Sequence, residues 1–180
     1  VQSSRRIIVM SHCILNQNSV APGKARSPGI MKSAVDWATE ERYGILQLPC
    51  PELTFFGLDR PLMNAEAYDT PEYHAHNRRI LLPVIDQLKT YQQHGYEIAG
   101  GLGIAGSLSC DPGRGVFMRD FLELAKEHDV YIDFFWQIPD HKEEVFDARD
   151  KQSVYGPVGR RPQTASPRKS KDGRKKGRFR

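Results

Sequence analysis

Two hydrophobic rhythms alternate along this chain. Arg5-Arg6-Ile7-Ile8-Val9-Met10-Ser11 is a short unbroken apolar run, which predicts a strand covered on both faces, as in a parallel sheet. Asn16 to Pro28 is polar, holds Pro22 and Gly23, and reads as loop. Ser27-Pro28 then offers an N-cap and a proline at the first helical position. Ile30, Met31, Ala34, Val35 and Ala38 follow at helical spacing, and Gly44 ends the element. Gly44-Ile45-Leu46-Gln47-Leu48 predicts a second strand, stopped by Pro49-Cys50-Pro51. Glu52 to Asp69 reads as a longer loop containing Phe55, Phe56 and Leu58.

Thr70-Pro71-Glu72 supplies another N-cap, N1 proline and first-turn acid, and Leu81, Val84, Ile85 and Leu88 share the face of the helix that follows. Pro83 lies inside that pattern and is expected to kink the helix or divide it. Tyr96 to Gly100 predicts a third strand. Val116, Phe117, Asp120, Phe121 and Leu124 mark a third helix, and Val130 to Phe135 a fourth strand. Strands alternating with helices imply right-handed βαβ units. The expected fold is α/β: a small Rossmann-like parallel sheet of about four strands with flanking helices, over residues 1–140.

Beyond Pro139 the pattern decays into a polar, basic segment, 141–180. His141 to Asp150 has the composition of a short exposed helix, and the remainder lacks an apolar face and is expected to be disordered. Charge follows the same division. Residues 151–180 carry eleven Lys and Arg against Asp172 alone, so the rest of the chain is net acidic despite an overall charge of +4. The tail reads first as a solvated extension. Its functional alternative is weak, salt-sensitive RNA contact, with only Tyr155 and Phe179 available for stacking. No apolar run approaches the ~20 residues of a membrane span, and no charged-then-apolar leader opens the sequence. A cytoplasmic protein without membrane contact is expected.

The three cysteines, Cys13, Cys50 and Cys110, are too few and too dispersed for a disulfide framework and suit a reducing compartment. Each follows a predicted strand or its exit loop. In an open parallel sheet those are carboxyl-end positions bordering the ligand crevice, so the three thiols are expected to share one cleft. Their neighbours match too: Ser11-His12-Cys13, Pro49-Cys50-Pro51-Glu52 and Gly106-Ser107-Leu108-Ser109-Cys110. Such a set suits a soft, thiophilic metal centre.

S-x-C, P-C-P-E and G-S-x-S-C, in this order at successive strand ends, resemble the thiouracil desulfurase family, nearest its desulfidase branch. The resemblance runs over about residues 5–138 and includes S-H-C-I-L-N-Q-N and the G-V-F-M after the last cysteine. It implies a [4Fe–4S] cluster held by Cys13, Cys50 and Cys110, with one iron open to a substrate sulfur, and a functional Ser107. Leu108 stands where the family has proline and Asp111 where it has glycine; both departures bear on the substrate rather than on the cluster.

Other chemistries compete with this one. G-L-G-I-A-G, Gly101 to Gly106, has the G-x-G-x-x-G spacing of a dinucleotide site, but it follows the third strand and S-L-S-C-D-P-G-R-G separates it from the next helix. Its glycines are expected to turn the loop sharply and bring its backbone near the metal centre. Zinc held by Cys13, Cys50, Cys110 and His12 lacks the close paired spacing of structural sites, and adjacent His12 and Cys13 diverge if the segment is extended. A lone nucleophilic cysteine with a histidine base leaves the other two cysteines unexplained. His74 and His76, two apart on a helix, read as solvated surface residues, while Phe55, Phe56 and Leu58 either wall the pocket or pack beneath the loop. Glu52 is either a loop acid or a general acid–base group. The leading expectation is an iron–sulfur desulfurase or desulfidase acting on a small thiolated compound such as a thiouracil-like base, with Glu52 or His12 activating water and Ser107 binding the substrate or its sulfur. The rival is a non-catalytic metal- or cluster-binding module whose basic tail docks RNA.

Overall fold

In the computed structural model of the chain, β1 (Arg6–Met10), β2 (Gly44–Gln47), β3 (Glu97–Ile104) and β4 (Phe134–Ile138) form a parallel sheet in the order β2-β1-β3-β4. The structure describes residues 1–139, 145–150 and 154–161. Alternate strand residues face opposite layers. Ile7 and Val9 of β1 join a core with Leu81, Ile85 and Leu88 of α4 (Pro71–Gln93) and Phe117, Phe121 and Leu124 of α5 (Val116–Glu127). Ile8 and Met10 pack on the other side with Met31 and with Ala34 and Ala38 of α2 (Lys32–Glu40). Both faces are therefore covered, which is why the strands read as unbroken apolar runs. The sheet is the expected α/β one, and the strand order reverses between β1 and β3, where such sheets open a ligand crevice.

Several elements differ from their sequence expectations. α2 starts at Lys32, not at Pro28, because Ser27 turns back and its hydroxyl donates to the Ile30 carbonyl (2.7 Å). α4 continues through Pro83 as one 23-residue helix. Pro83 sits on the exposed face, between exposed Leu82 and the buried Leu81 and Ile85 row, so its missing donor costs no core contact. The stretch read as a loop after Cys50 contains α3 (Pro51–Phe56) and a 3₁₀ turn at Ala65–Ala67.

The fold also extends past residue 140. β5 (Val154–Tyr155) pairs antiparallel with β4, Val158 is buried in the α4/α5-side core, and the Phe146 ring packs at 4.9 Å from Trp37. The described part of the expected short helix, Val145–Asp150, is not helical. Residues 162–180, on which most of the disordered-tail expectation falls, lie outside the described residues.

The glycines of β3 are used mainly for packing. A Cβ on Gly100 would stand 2.0 Å from the Trp136 ring, and one on Gly101 2.6 Å from the Phe135 ring. A Cβ on Gly103 would lie 2.4 Å from the Cys110 carbonyl, which accepts the Ile104 N–H at 3.1 Å. The cysteine-bearing loop thus lies back along the end of its own strand. Gly106, at φ 74°, makes the expected sharp turn. No helix among the described residues is long and apolar enough to cross a membrane.

Candidate active site

The chain places all six sequence-predicted residues on one cavity of about 390 Å³ at the β1/β3 reversal: His12, Cys13, Cys50, Glu52, Ser107 and Cys110. They arrive in pairs from the carboxyl ends of three strands. After β1, α1 (His12–Leu15) forms a single turn that carries His12 and Cys13. The helical turn replaces the extended segment expected there, and it lets both neighbours line the cavity. After β2, Cys50 is the N-cap of α3, with Pro51 at the first helical position, and its Sγ accepts the Leu53 N–H at 3.4 Å. After β3, the loop from Gly106 to Gly115 delivers Ser107 and Cys110.

That last loop is held internally. Asp111, buried, accepts the Gly106 N–H (2.7 Å) and the Gly113 N–H (2.7 Å). Its carboxylate does here what the glycine expected at this position could not. Ser107 Oγ accepts the N–H of Cys110 (2.9 Å) and approaches that of Ser109 (3.3 Å). Those bonds use its lone pairs and leave its own proton to donate. Ser107 is therefore structural as well as a candidate ligand for substrate. Ser107→Ala is expected to cost about 1–2 kcal/mol, the price of two amides without their acceptor, and to speed hydrogen exchange at Cys110. Ser107→Thr should restore both, and an unchanged exchange rate in the alanine variant would remove the loop-holding role.

All three thiols are pushed away from ionisation. Burial drives Cys13 up to about 12, helped by the neighbouring Cys50 and Glu52 charges and opposed by Arg26. Burial also raises Cys50, against the Leu53 N–H, and raises Cys110 well above its ordinary value with help from Cys13, Glu52 and Cys50. The thiols thus sense one another, and three thiolates could share this cavity only with a cationic centre among them. Three cysteine thiols on one cavity are a soft donor set of the kind that holds iron–sulfur clusters.

His12 is held largely neutral, because burial lowers its pKa more than a hydrogen bond to the Leu48 backbone raises it. Its Nε2 is buried without a hydrogen-bond partner. Glu52 Oε2 accepts from Arg60 Nε (3.1 Å) and from the Tyr68 hydroxyl (3.2 Å). Burial and the Glu52 charge hold that phenol protonated. The sequence reading missed Arg60 and Tyr68, which lie 8 and 16 residues past Glu52 in a stretch without periodicity. Asp59-Arg60-Pro61, a charged pair closed by proline, was its nearest local sign.

Other singled-out residues stand elsewhere. Phe55, Phe56 and Leu58 do not line the cavity; the Phe55 and Phe56 rings pack on Tyr73 at 5.2 and 5.3 Å. His76 is 7% exposed and bonds Thr54 (2.7 Å), while His74 joins Asp69 (2.9 Å) to buried Asp120 (2.8 Å). Burial pulls the His74 pKa down, but these two carboxylates outweigh it and hold the imidazole toward its charged form. Neither histidine is a solvated surface residue: both tie α4 to neighbouring segments.

No protein-family model matches the chain, and no solved structure matches it at a significant level. An uncharacterized protein of Methanocaldococcus jannaschii, MJ0003, is 38% identical over 130 residues, which span 71% of this chain and 83% of that protein. At that identity and coverage, the chain belongs to the family of MJ0003.

Proposed function

We propose that this cavity is the active site of an iron–sulfur-dependent desulfurase or desulfidase, working on a small thiolated compound of the thiouracil type. One observation carries the reading: thiols from three successive strand ends line a single cavity together with a carboxylate, an imidazole and a hydroxyl. Cys13, Cys50 and Cys110 would hold the [4Fe–4S] cluster, which when bound supplies an iron without a protein ligand as a Lewis acid for the substrate's sulfur. Three free cysteines support a reducing compartment, the cytoplasm, for such a protein.

The chain's own groups account for the remaining chemistry. Arg60 and Tyr68 fix Glu52 through Oε2, so Oε1 is left to orient a water and take its proton. The unpartnered Nε2 of neutral His12 is a second candidate proton acceptor. Ser107 donates its proton to the bound substrate. The overall change is balanced without a redox partner: the carbon–sulfur double bond and water become a carbonyl and hydrogen sulfide.

The test is turnover by the anaerobically reconstituted chain given 2-thiouracil, followed as uracil by chromatography and as sulfide by colorimetry. Equal amounts of the two products are expected. An iron-loaded chain that releases neither from 2-thiouracil or other small thiones would instead support the non-catalytic cluster-binding module with its RNA-docking tail.

A further inference from the structure

The first turns of α4 lie behind the thiols rather than among them. Tyr73 and His76 are 0% and 7% exposed, and neither lines the cavity. Residues three apart share a helix face, and Phe55 of α3 packs on both, 5.2 Å from the Tyr73 ring and 5.1 Å from the His76 ring.

Each of the two continues into a hydrogen-bonded chain that ends at a cysteine. Arg79 Nη2 donates to His76 Nδ1 (2.9 Å), and His76 Nε2 lies 2.7 Å from Thr54 Oγ1. Burial lowers the His76 pKa, with help from the Arg79 charge, and favours the neutral imidazole. A guanidinium can only donate, so Nδ1 accepts, and Nε2 carries the proton and donates to Thr54. The Thr54 hydroxyl is thereby aimed at the carbonyls of Cys50 (2.8 Å) and Pro51 (3.3 Å). The Cys50 carbonyl also accepts the Thr54 N–H at 3.2 Å.

On the other side, the Tyr73 hydroxyl lies 2.9 Å from Ser109 Oγ, and both side chains are buried. Two hydroxyls hold two protons, and their mutual bond uses one. Burial lifts the Cys110 thiol, and the Ser109 hydroxyl works against that rise, which it can do only by donating. Tyr73 therefore donates to Ser109, and the Ser109 proton is turned to the Cys110 sulfur.

We infer that Tyr73 and His76 are positioning residues of the thiol site: from one face of α4, Tyr73 sets Ser109 behind Cys110 and His76 sets Thr54 behind Cys50. This rests on the iron–sulfur reading only for what the two thiols are held to bind. Groups behind the ligands of a metal centre keep those ligands oriented, and losing one weakens binding about ten- to hundredfold.

The anaerobically reconstituted chain is challenged with bathophenanthroline disulfonate, and iron release is timed. Tyr73→Phe, which removes only the hydroxyl, and His76→Leu should each release iron roughly tenfold faster than the unaltered chain. His76→Gln, whose Nε2 can take the place of the imidazole's, should restore slow release, and Thr54→Val should repeat His76→Leu. Leu88→Ala, a core change near the far end of α4, separates positioning from stability: it should lower the melting midpoint and leave release unchanged. Amide hydrogen exchange on the iron-free chains reads the same contacts without a cluster. His76→Leu should quicken exchange at Leu53 and Thr54, whose N–H groups bond to Cys50, and Tyr73→Phe at Met118, whose N–H bonds to the Ser109 carbonyl. Release and exchange both unchanged in Tyr73→Phe and His76→Leu, or release quickened equally by Leu88→Ala, would overturn the inference. So would a His76→Gln variant that restores neither. If the unaltered chain takes up no cluster, the iron–sulfur reading falls, and the exchange results alone uphold or overturn this inference.

Discussion

Replacing any one of Cys13, Cys50 or Cys110 with serine is expected to abolish iron–sulfur uptake. Anaerobic reconstitution of the unaltered chain with iron and sulfide should give a brown protein with broad absorbance near ~400 nm and about four irons per chain. Each serine variant should stay colourless. The reason is the size of the donor set: three thiols line the cavity, and the described residues contain no fourth cysteine to take a lost one's place. Burial holds all three protonated without a metal, helped by the neighbouring thiols at Cys13 and Cys110, so uptake must displace their protons. Loading should accordingly be more complete as pH rises. The folded apo-protein should survive each substitution, because serine keeps the N-cap acceptor at position 50 and removes little volume elsewhere. Thermal melting of the apo-variants checks that point independently of iron. Two variants retaining full iron, or stoichiometric zinc in place of the chromophore, would sink the shared-cluster reading.

The scaffold and the thiols were legible in the sequence for a common reason. Parallel strands buried on both faces announce themselves as short apolar runs, and the crevice lies at their carboxyl ends, so Cys13, Cys50 and Cys110 could be assigned to one cleft from position alone. What surrounds them was not legible, because it is made by contacts distant in sequence. Arg60 meets Ser19, 41 residues away, and Gln17 meets Arg26 across a polar loop. Polar side chains in such loops follow no period, so nothing marks a buried arginine apart from a solvated one. The far end of the domain was hidden for a related reason. Phe146 and Val158 are isolated apolar residues in a polar segment, and the described Val154–Tyr155 strand is too short to alternate visibly. His74 and His76 misled through the opposite error: the spacing rule describes one helix, whereas their partners Asp120 and Thr54 belong to other elements.

Arg60→Ala is expected to be the most destabilising single change in the polar part of the site. The Arg60 side chain is 2% exposed and that of Glu52 20%, and their contact is 3.1 Å. Arg60 also donates from Nη1 to the Gly57 carbonyl (2.8 Å) and from Nη2 to the Ser19 carbonyl (2.7 Å). One guanidinium therefore joins the turn at Ser19, the end of α3 and the candidate base. Its loss leaves a part-buried carboxylate held by Tyr68 alone and two carbonyls short of a donor. Breaking a buried pair in this way costs about 3–5 kcal/mol, and each kcal/mol lowers the midpoint of a domain this size by roughly 2–4 °C, so a fall on the order of 10 °C is expected. Arg60→Lys should recover only part of this, since an ammonium cannot reproduce the fork that reaches three oxygens. Glu52→Gln alone should cost less, because Arg60 keeps both carbonyls and an amide oxygen in place of the carboxylate. Combined with Arg60→Met, it should lose less than the two single changes together. The coupling expected from such a cycle is about 1–3 kcal/mol, measured by denaturant unfolding. Strictly additive losses would mean that Arg60 acts only through the Gly57 and Ser19 carbonyls, and that Glu52 is held in place by something other than its charge.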